Sequence, residues 1–383
     1  MMHSSLNGTR TIAFVSNNCW SLINFRKEVL QYFLGLGYRV LAIAPDDEYA
    51  DDIRSMGCIF YPVHFRNSAI SPVKDILLYF SLLEIYRKEK PAIIFHYVIK
   101  PCIYGTMAAG KLNIPSVSVI TGLGYVFSGG NWLRYPVRFL FKRAMVHAKQ
   151  VWFLNHENAE YFEQQGLISN DKIKILPGEG IDTNKFSPAV YRQASRPFIF
   201  LMVSRLLWSK GLGIYMEAAR ILRSRGIDAE FRLLGKPEKG HPESVPEEQL
   251  QHWVKQGLLV DLGFREDVRS SLSAADCLVL PTYYEEGIPR TLLEASSMEI
   301  PCITTDRTGS HSVVENNVNG LLCKPRDSQD LADKMITMIH LGNEKRREMG
   351  QNGRKKMLAE FDLKAVIAMY NEMVSHYQHG HNH

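Results

Sequence analysis

The sequence predicts an α/β protein made of two parallel sheets with helical crossovers, and three observations carry that expectation. Short apolar, β-branched runs recur along the chain, each followed by a longer stretch with helical periodicity, the pattern left by parallel strands and their crossovers. A stretch rich in glycine, proline and polar residues, LPGEGIDTNKFSPAVYRQASRP from Leu176 to Pro197, divides those runs into two sets. The chain has 383 residues, more than one hydrophobic core usually serves, so two domains are expected.

In the first half, strands are expected at Thr11 to Ser16, Arg39 to Ala44, Ile59 to Val63, Ala92 to Tyr97, Ser116 to Thr121 and Gln150 to Leu154, with helices between them. In the second half they are expected at Phe198 to Ser204, Glu230 to Leu234, Leu259 to Leu262, Cys277 to Leu280, Pro301 to Thr304 and Gly320 to Cys323. The hinge is placed near Asp182 to Ser195, which gives domains of residues 1–185 and 186–360. Leu363, Val366, Ile367, Tyr370 and Val374 recur at helical spacing, so a helix over 361–378 has an apolar face to bury. The HGHNH tail after it reads as a frayed terminus.

Composition excludes several classes. With 45% hydrophobic and 22% charged residues, the chain is neither collagen-like, coiled coil nor wholly disordered. Its six cysteines, Cys19, Cys58, Cys102, Cys277, Cys302 and Cys323, lie far apart in mostly apolar runs, which argues for small core residues and against a disulfide framework or zinc site. Met1 to Arg10 lack the features of a secretory signal, so the chain is expected in the cytosol. No run approaches the ~18 to 20 apolar residues of a membrane span, so any membrane association is expected to be peripheral. A net charge of +5 is too mild to imply nucleic acid.

Two constellations carry chemistry. Segment CLVLPTYYEEGIPRTLLEASSMEIPCITT reads as strand, loop, helix, strand, with Pro289 suited to the first helical turn. Glu286 then precedes the helix and Glu294 lies inside it, roughly 7 to 8 Å along the axis, so the two carboxylates can grip different parts of one ligand. Backbone N–H groups of Gly287 and Ile288 point outward at the helix start and favour oxygen-rich or anionic groups. In FIFLMVSRLLWSKGLGIYMEAARIL, Arg205 falls at the carboxyl end of a strand and Lys210 with Gly211 opens the next helix, where an open α/β sheet takes ligands. A planar fork and a mobile point charge beside a helix start suit a diphosphate.

These residues bring a family into view. SRLLWSKG, the LGF at Leu262 to Phe264 and EEGIPRTLLEAS resemble the retaining glycosyltransferases of family 4, and SNNCWSLINFR, IKPCIYGTMAAGK, TGLGYVF and LPGEGID extend the resemblance over nearly the whole chain. The pattern looks closest to PglA-type transferases, which extend polyprenyl-diphosphate-linked sugars in bacterial surface glycan or glycoprotein assembly. The resemblance implies a GT-B fold, two Rossmann-like domains facing across a cleft with the last helix crossing back to the first domain. It also implies a nucleotide-sugar donor, usually of uridine, held by the second domain. On that reading Arg205 and Lys210 hold the diphosphate, Glu294 the ribose hydroxyls and Glu286 the donor sugar. Gly287, Ile288 and Pro289 bring backbone against that sugar, and Phe264 and Arg265 lie near the base. No metal cofactor is implied, because the two cations neutralise the leaving diphosphate. Arg205, Lys210 and Glu286 are therefore the catalytic candidates, and front-face attack needs no protein nucleophile.

The first domain is expected to bind the acceptor, a polyprenyl-diphosphate-linked glycan. Its first strand leads into Asn17, Asn18 and Cys19 where relatives often carry glycines, and His96, Lys100, Thr121 and Gly122 complete the candidate acceptor side. TGLGYVFSGG lacks the third glycine of a dinucleotide fingerprint and reads as a cleft loop. From 131 to 149, NWLRYPVRFLFKRAMVHAK sets five cations, Arg134, Arg138, Lys142, Arg143 and Lys149, among Trp132, Tyr135, Phe139 and Phe141 without one acid. That segment is expected to dock on the inner leaflet of the cytoplasmic membrane. A GT-B epimerase or phosphorylase, and a sugar-nucleotide-binding module without turnover, are the alternatives.

Overall fold

The computed structural model describes residues 10–64, 72–122, 134–188, 197–238, 240–284 and 287–378. Strands buried on both faces need continuous apolar runs, and the expected runs form two wholly parallel sheets. The first contains β1 (Thr11–Val15), β2 (Arg39–Ala44), β3 (Ile59–Pro62), β4 (Ile93–Tyr97), β5 (Ser116–Ile120), β6 (Gln150–Phe153) and β7 (Ile173–Ile175), in the order β3-β2-β1-β4-β5-β6-β7. The second contains β8 (Phe198–Val203), β9 (Ala229–Leu234), β10 (Val260–Asp261), β11 (Cys277–Leu280), β12 (Cys302–Thr305) and β13 (Gly320–Cys323), in the order β10-β9-β8-β11-β12-β13.

Each sheet reverses its direction of winding once, between β1 and β4 in the first and between β8 and β11 in the second. Ligands of doubly wound sheets sit outside the carboxyl ends of the strands at such points. Register confirms the pairs that flank them: Ile12 opposes Ile93, and Cys277 opposes Phe200.

The chain divides into two compact units, Met1–Glu179 with Ala365–His383, and Gly180–Lys364. The first unit is closed by the last helix, Leu363–Gln378, which buries Val366, Tyr370, Met373 and Val374. Tyr370 packs against Phe95 at 4.8 Å and Trp152 at 4.9 Å between ring centroids, and its hydroxyl meets that of Tyr97 at 2.9 Å. Below this aromatic cluster Arg26 is buried with its guanidinium 4.2 Å from the Tyr97 ring centroid and paired with Glu179. Removing one partner of so buried a pair strands the other charge, so both residues are structural anchors of the first unit.

In the second unit one continuous core runs from Ile181 to Phe361. Asp362 accepts from the Thr183 hydroxyl at 2.7 Å, so both ends of this unit are tied together. All six cysteines are buried thiols, and none is in a disulfide. Among the described residues no helix is long and apolar enough to cross a membrane.

Candidate active site

The carboxyl end of β8 continues into Ser204 and Arg205 and then a short 3-10 turn, Trp208–Lys210, before the helix Leu212–Ser224. Gly211 joins turn to helix with φ +88°, and a Cβ there would sit 2.1 Å from the carbonyl oxygen of Pro281. Only glycine supplies that backbone at that distance, which is why the turn can press against the end of β11. Thr282 and Tyr283 hold it there: the Tyr283 N–H donates to the Ser209 carbonyl at 2.9 Å, and the Thr282 hydroxyl reaches the same oxygen at 3.3 Å. From the other side Glu243 accepts from the Ser209 hydroxyl, and its carbonyl accepts from the Trp208 N–H at 2.9 Å.

The consequence is a fixed Lys210. Its residue is 7% exposed, and its ammonium lies 5.6 Å from the centroid of the Tyr284 ring. A lysine enclosed along its stem is ordered in advance, so it meets a neighbouring anion at less entropic cost than a surface lysine. Arg205 differs, because its side chain is 47% exposed and its guanidinium pairs with Glu238 at 2.8 Å. Gly235 keeps this region narrow, since a Cβ there would meet the Ser204 carbonyl oxygen at 2.0 Å.

β11 leads through Pro281 to Tyr284, and after two residues outside the described set the chain resumes at Gly287. Glu286 lies in that gap, outside the described residues. Pro289 stands at the N-cap in extended conformation, one residue ahead of the helix Arg290–Ser297, rather than inside its first turn. Glu294 is the fifth residue of that helix, buried, and receives Arg290 Nε at 3.0 Å. Burial raises its pKa above the ordinary carboxylate value, while the Arg290 charge and hydrogen bond oppose that shift. Gly287 and Ile288 are partly exposed. Phe264 is exposed, with the Lys236 ammonium 4.7 Å from its ring centroid, and Arg265 beside it is exposed as well.

At the first sheet's switch point the arrangement is different. The Asn18 side chain caps the helix Cys19–Gly35 by accepting from the Ser21 N–H at 2.7 Å and donates to Asn17 Oδ1 at 3.2 Å. Asp47 accepts from the Cys19 N–H at 2.8 Å. The helix start, which in a glycine-rich loop receives a phosphate, is here filled by the chain's own side chains. Thr121 and Gly122, at the end of β5, are partly exposed.

His96 does not stand where an acceptor contact was expected. It is fully buried, with Nε2 2.9 Å from the Tyr86 hydroxyl and Nδ1 3.1 Å from that of Thr106, and burial drives its pKa down to about 3. It presents no surface to a ligand and is a neutral structural histidine. Lys100 is 23% exposed and ion-paired with buried Asp75 at 2.9 Å, so it is a held cation rather than a loose surface lysine. The segment from 131 to 149 is described from Arg134 onward, as the helix Arg134–Met145, and Trp132 lies outside the described residues. Its aromatics split: Phe141 is fully buried, whereas Tyr135 and Phe139 are 70% and 64% exposed.

Residues 184–356 match the family described as glycosyl transferases group 1, and residues 11–155 match the one described as glycosyl transferase 4-like. The chain is a glycosyltransferase. This glycosyltransferase is similar over 94% of its length, at 27% identity, to an α-1,3-N-acetylgalactosaminyltransferase of Campylobacter jejuni named for N,N'-diacetylbacillosaminyl-diphospho-undecaprenol, of which 96% is covered. It is 28% identical to the Escherichia coli UDP-Gal:α-D-GlcNAc-diphosphoundecaprenol α-1,3-galactosyltransferase, with 83% of both chains covered. The crystal structure of Anabaena HepE in complex with UDP superposes with a TM-score of 0.77 at 19% identity, covering 96% of this chain and 99% of that one. The fold is therefore GT-B, with two Rossmann-like domains.

Several members of the site were not singled out in the sequence. Ser209, Thr282 and Glu243 position Lys210, and Tyr284 flanks it. Their signal is weak, because a serine, a threonine and a glutamate in three separate loops have no shared spacing. Arg290 stands four residues before Glu294, a spacing that puts both on one helix face and was readable.

Proposed function

We propose that the enzyme moves a sugar, an N-acetylhexosamine or a hexose, from a UDP-sugar to a saccharide carried on polyprenyl diphosphate, with retention of configuration, in bacterial surface glycan or glycoprotein assembly. The observation that carries this reading is the buried, clamped Lys210 at the carboxyl end of β8, on the strand next to the one that leads to buried Glu294. Lys210 and Arg205 neutralise the departing diphosphate, the main electrostatic task of the reaction, and take the place of a divalent cation. Glu294 accepts from the ribose hydroxyls, Glu286 from the sugar, and the Gly287 to Pro289 backbone lies against it. Phe264 and Arg265 serve the base. The acceptor hydroxyl attacks the face the diphosphate leaves and passes its proton to that phosphate, so no protein base is assigned.

The acceptor class is supported by the two relatives named for diphospho-undecaprenol substrates, and the donor class by the UDP bound in the HepE structure. Asn17, Asn18, Lys100, Thr121 and Gly122 form the acceptor side. The protein works from the cytoplasmic face of the membrane as a peripheral enzyme. Support for that comes from exposed Tyr135 and Phe139 beside Lys142 and Arg143, because aromatics settle at headgroup depth and each cation near anionic lipid adds ~1 kcal/mol.

The test is thermal unfolding with UDP, GDP, ADP and CDP in turn, each in EDTA, for the wild type and Glu294→Ala. At about 100 times its dissociation constant a ligand adds ~2.7 kcal/mol, worth several degrees in midpoint. A shift selective for UDP and lost in the variant supports the donor site. A shift that selects another nucleotide, or appears only with added divalent cation, overturns it.

A further inference from the structure

The first unit holds an apolar groove of about 330 Å³, lined by Ile76 and Tyr79, Tyr104 and Met107, and Leu140, with Asp75 in its wall. We propose that this groove takes the first isoprene units of the acceptor's polyprenyl chain, with Lys100 at its head receiving the diphosphate. The proposal rests on the acceptor class given above and names where its lipid is held.

Position is the first argument. Lys100 follows β4 at the carboxyl edge of the sheet, beside the point where the strand order reverses, which is where a doubly wound sheet takes ligands. The helix Pro72–Glu89 returns to the amino end of β4, so its own first turns lie at the carboxyl edge, and Asp75 reaches Lys100 at 2.9 Å. The same carboxylate accepts from the Tyr104 hydroxyl at 3.2 Å through its other oxygen. Both oxygens are thus engaged, and the one acid in the groove is neutralised by the cation at its head.

Chemistry is the second. Beyond the charged head the lining is aliphatic, aromatic and thioether, a combination that adapts to a branched hydrocarbon. On the helix Pro72–Glu89 the apolar surface continues outward: Val73, Ile76, Leu77 and Phe80, at successive helical spacings, are 55% to 70% exposed. The opposite face of that helix already buries Leu78, Leu82 and Tyr86, so the exposed stripe is surplus to its own core. Exposed Lys74, Lys142 and Arg143 lie on the two helices that flank the groove. A cation, then an apolar groove, then an apolar stripe matches an amphiphile with an anionic diphosphate head and a long hydrocarbon tail.

The experiment compares KM for one saccharide carried on ethyl diphosphate, which has no isoprene unit, and on undecaprenyl diphosphate, in detergent micelles, for the wild type, Ile76→Glu and Met107→Trp. The wild type is expected to favour the long chain by about tenfold or more in KM. Both variants should erase that preference by raising the undecaprenyl KM, while the KM for the ethyl ester, which has no isoprene unit to place in the groove, stays as in the wild type. Ile76 is 55% exposed, so its substitution leaves the fold intact even where Met107→Trp does not. Equal KM for both chains in the wild type overturns the proposal. So does a preference that survives both variants while their sedimentation with phosphatidylglycerol vesicles falls, since the groove then meets the bilayer and not the substrate. Turnover of neither acceptor contradicts the acceptor class itself, a result distinct from equal KM.

Discussion

Replacing Lys210 with methionine keeps most of the apolar stem and removes the charge. The residue is 7% exposed and its turn is clamped by Glu243, Thr282 and Tyr283, so the charge is removed from a turn whose backbone stays in place. Two unit charges ~4 Å apart interact by about 4 kcal/mol at an effective dielectric near 20. Loss of a single preorganised donor to a developing anion elsewhere costs about 2.7 to 4 kcal/mol. Both figures place the expected fall in kcat between ~10² and 10³. The fold should not suffer greatly, because removing a buried charge relieves its desolvation, and the cation–π contact with Tyr284 that is lost is worth ~0.5 to 1 kcal/mol. The assay is the rate of nucleotide release at saturating donor and acceptor, alongside the unfolding midpoint. A Lys210→Met enzyme within about threefold of wild-type kcat, with an unchanged midpoint, would refute the assignment of Lys210 to the leaving group.

Three further outcomes are expected. Burial holds the Glu294 pKa above the usual carboxylate value, and donor hydroxyls favour the ionised form, so donor affinity should fall as pH drops toward the upper carboxylate range; calorimetry on wild type and Glu294→Gln checks this, and a wild-type affinity flat with pH would remove Glu294 from the site. Gly211→Ala forces a side chain into φ +88° and onto the Pro281 carbonyl, with a loss of ~2 to 5 kcal/mol seen as a lower unfolding midpoint; an unchanged midpoint contradicts the close approach. His96 stays neutral in the fold, its pKa about 3, whereas the unfolded chain binds a proton near ~6.5. Its contribution to stability is therefore present above that pH and declines on acidification by up to ~1.4 kcal/mol per pH unit, a slope that denaturant titrations should find reduced in His96→Gln.

Strands were legible where burial is symmetric. Phe198–Val203 and Cys277–Leu280 are wholly apolar because both faces of a central parallel strand meet helices. β7 escaped notice, since Ile173–Ile175 is an edge strand of three residues with exposed Lys174 at its centre. β10 is only Val260–Asp261, both exposed, so the expected strand Leu259 to Leu262 overstated it. At the candidate site, the places of Lys210 after β8 and of Glu294 inside its helix were readable because strand ends and helix starts announce themselves through glycine, proline and periodicity. Partnerships across distant loops were not: Glu243 lies 34 residues beyond Ser209, and Asp75 lies 25 residues before Lys100. His96 sits in an apolar strand whose pattern is the same whether its polar residue faces a ligand or the Tyr86 and Thr106 hydroxyls.

The measurement that bears most directly on the account is mass spectrometry of a saccharide on undecaprenyl diphosphate after incubation with the enzyme and a panel of UDP-sugars in EDTA. The account predicts a gain of one hexose or N-acetylhexosamine, α-linked when released and read by NMR, and absent with Lys210→Met. Nucleotide release without any gain of mass on the lipid, or a gain that requires a donor other than a UDP-sugar, would contradict it.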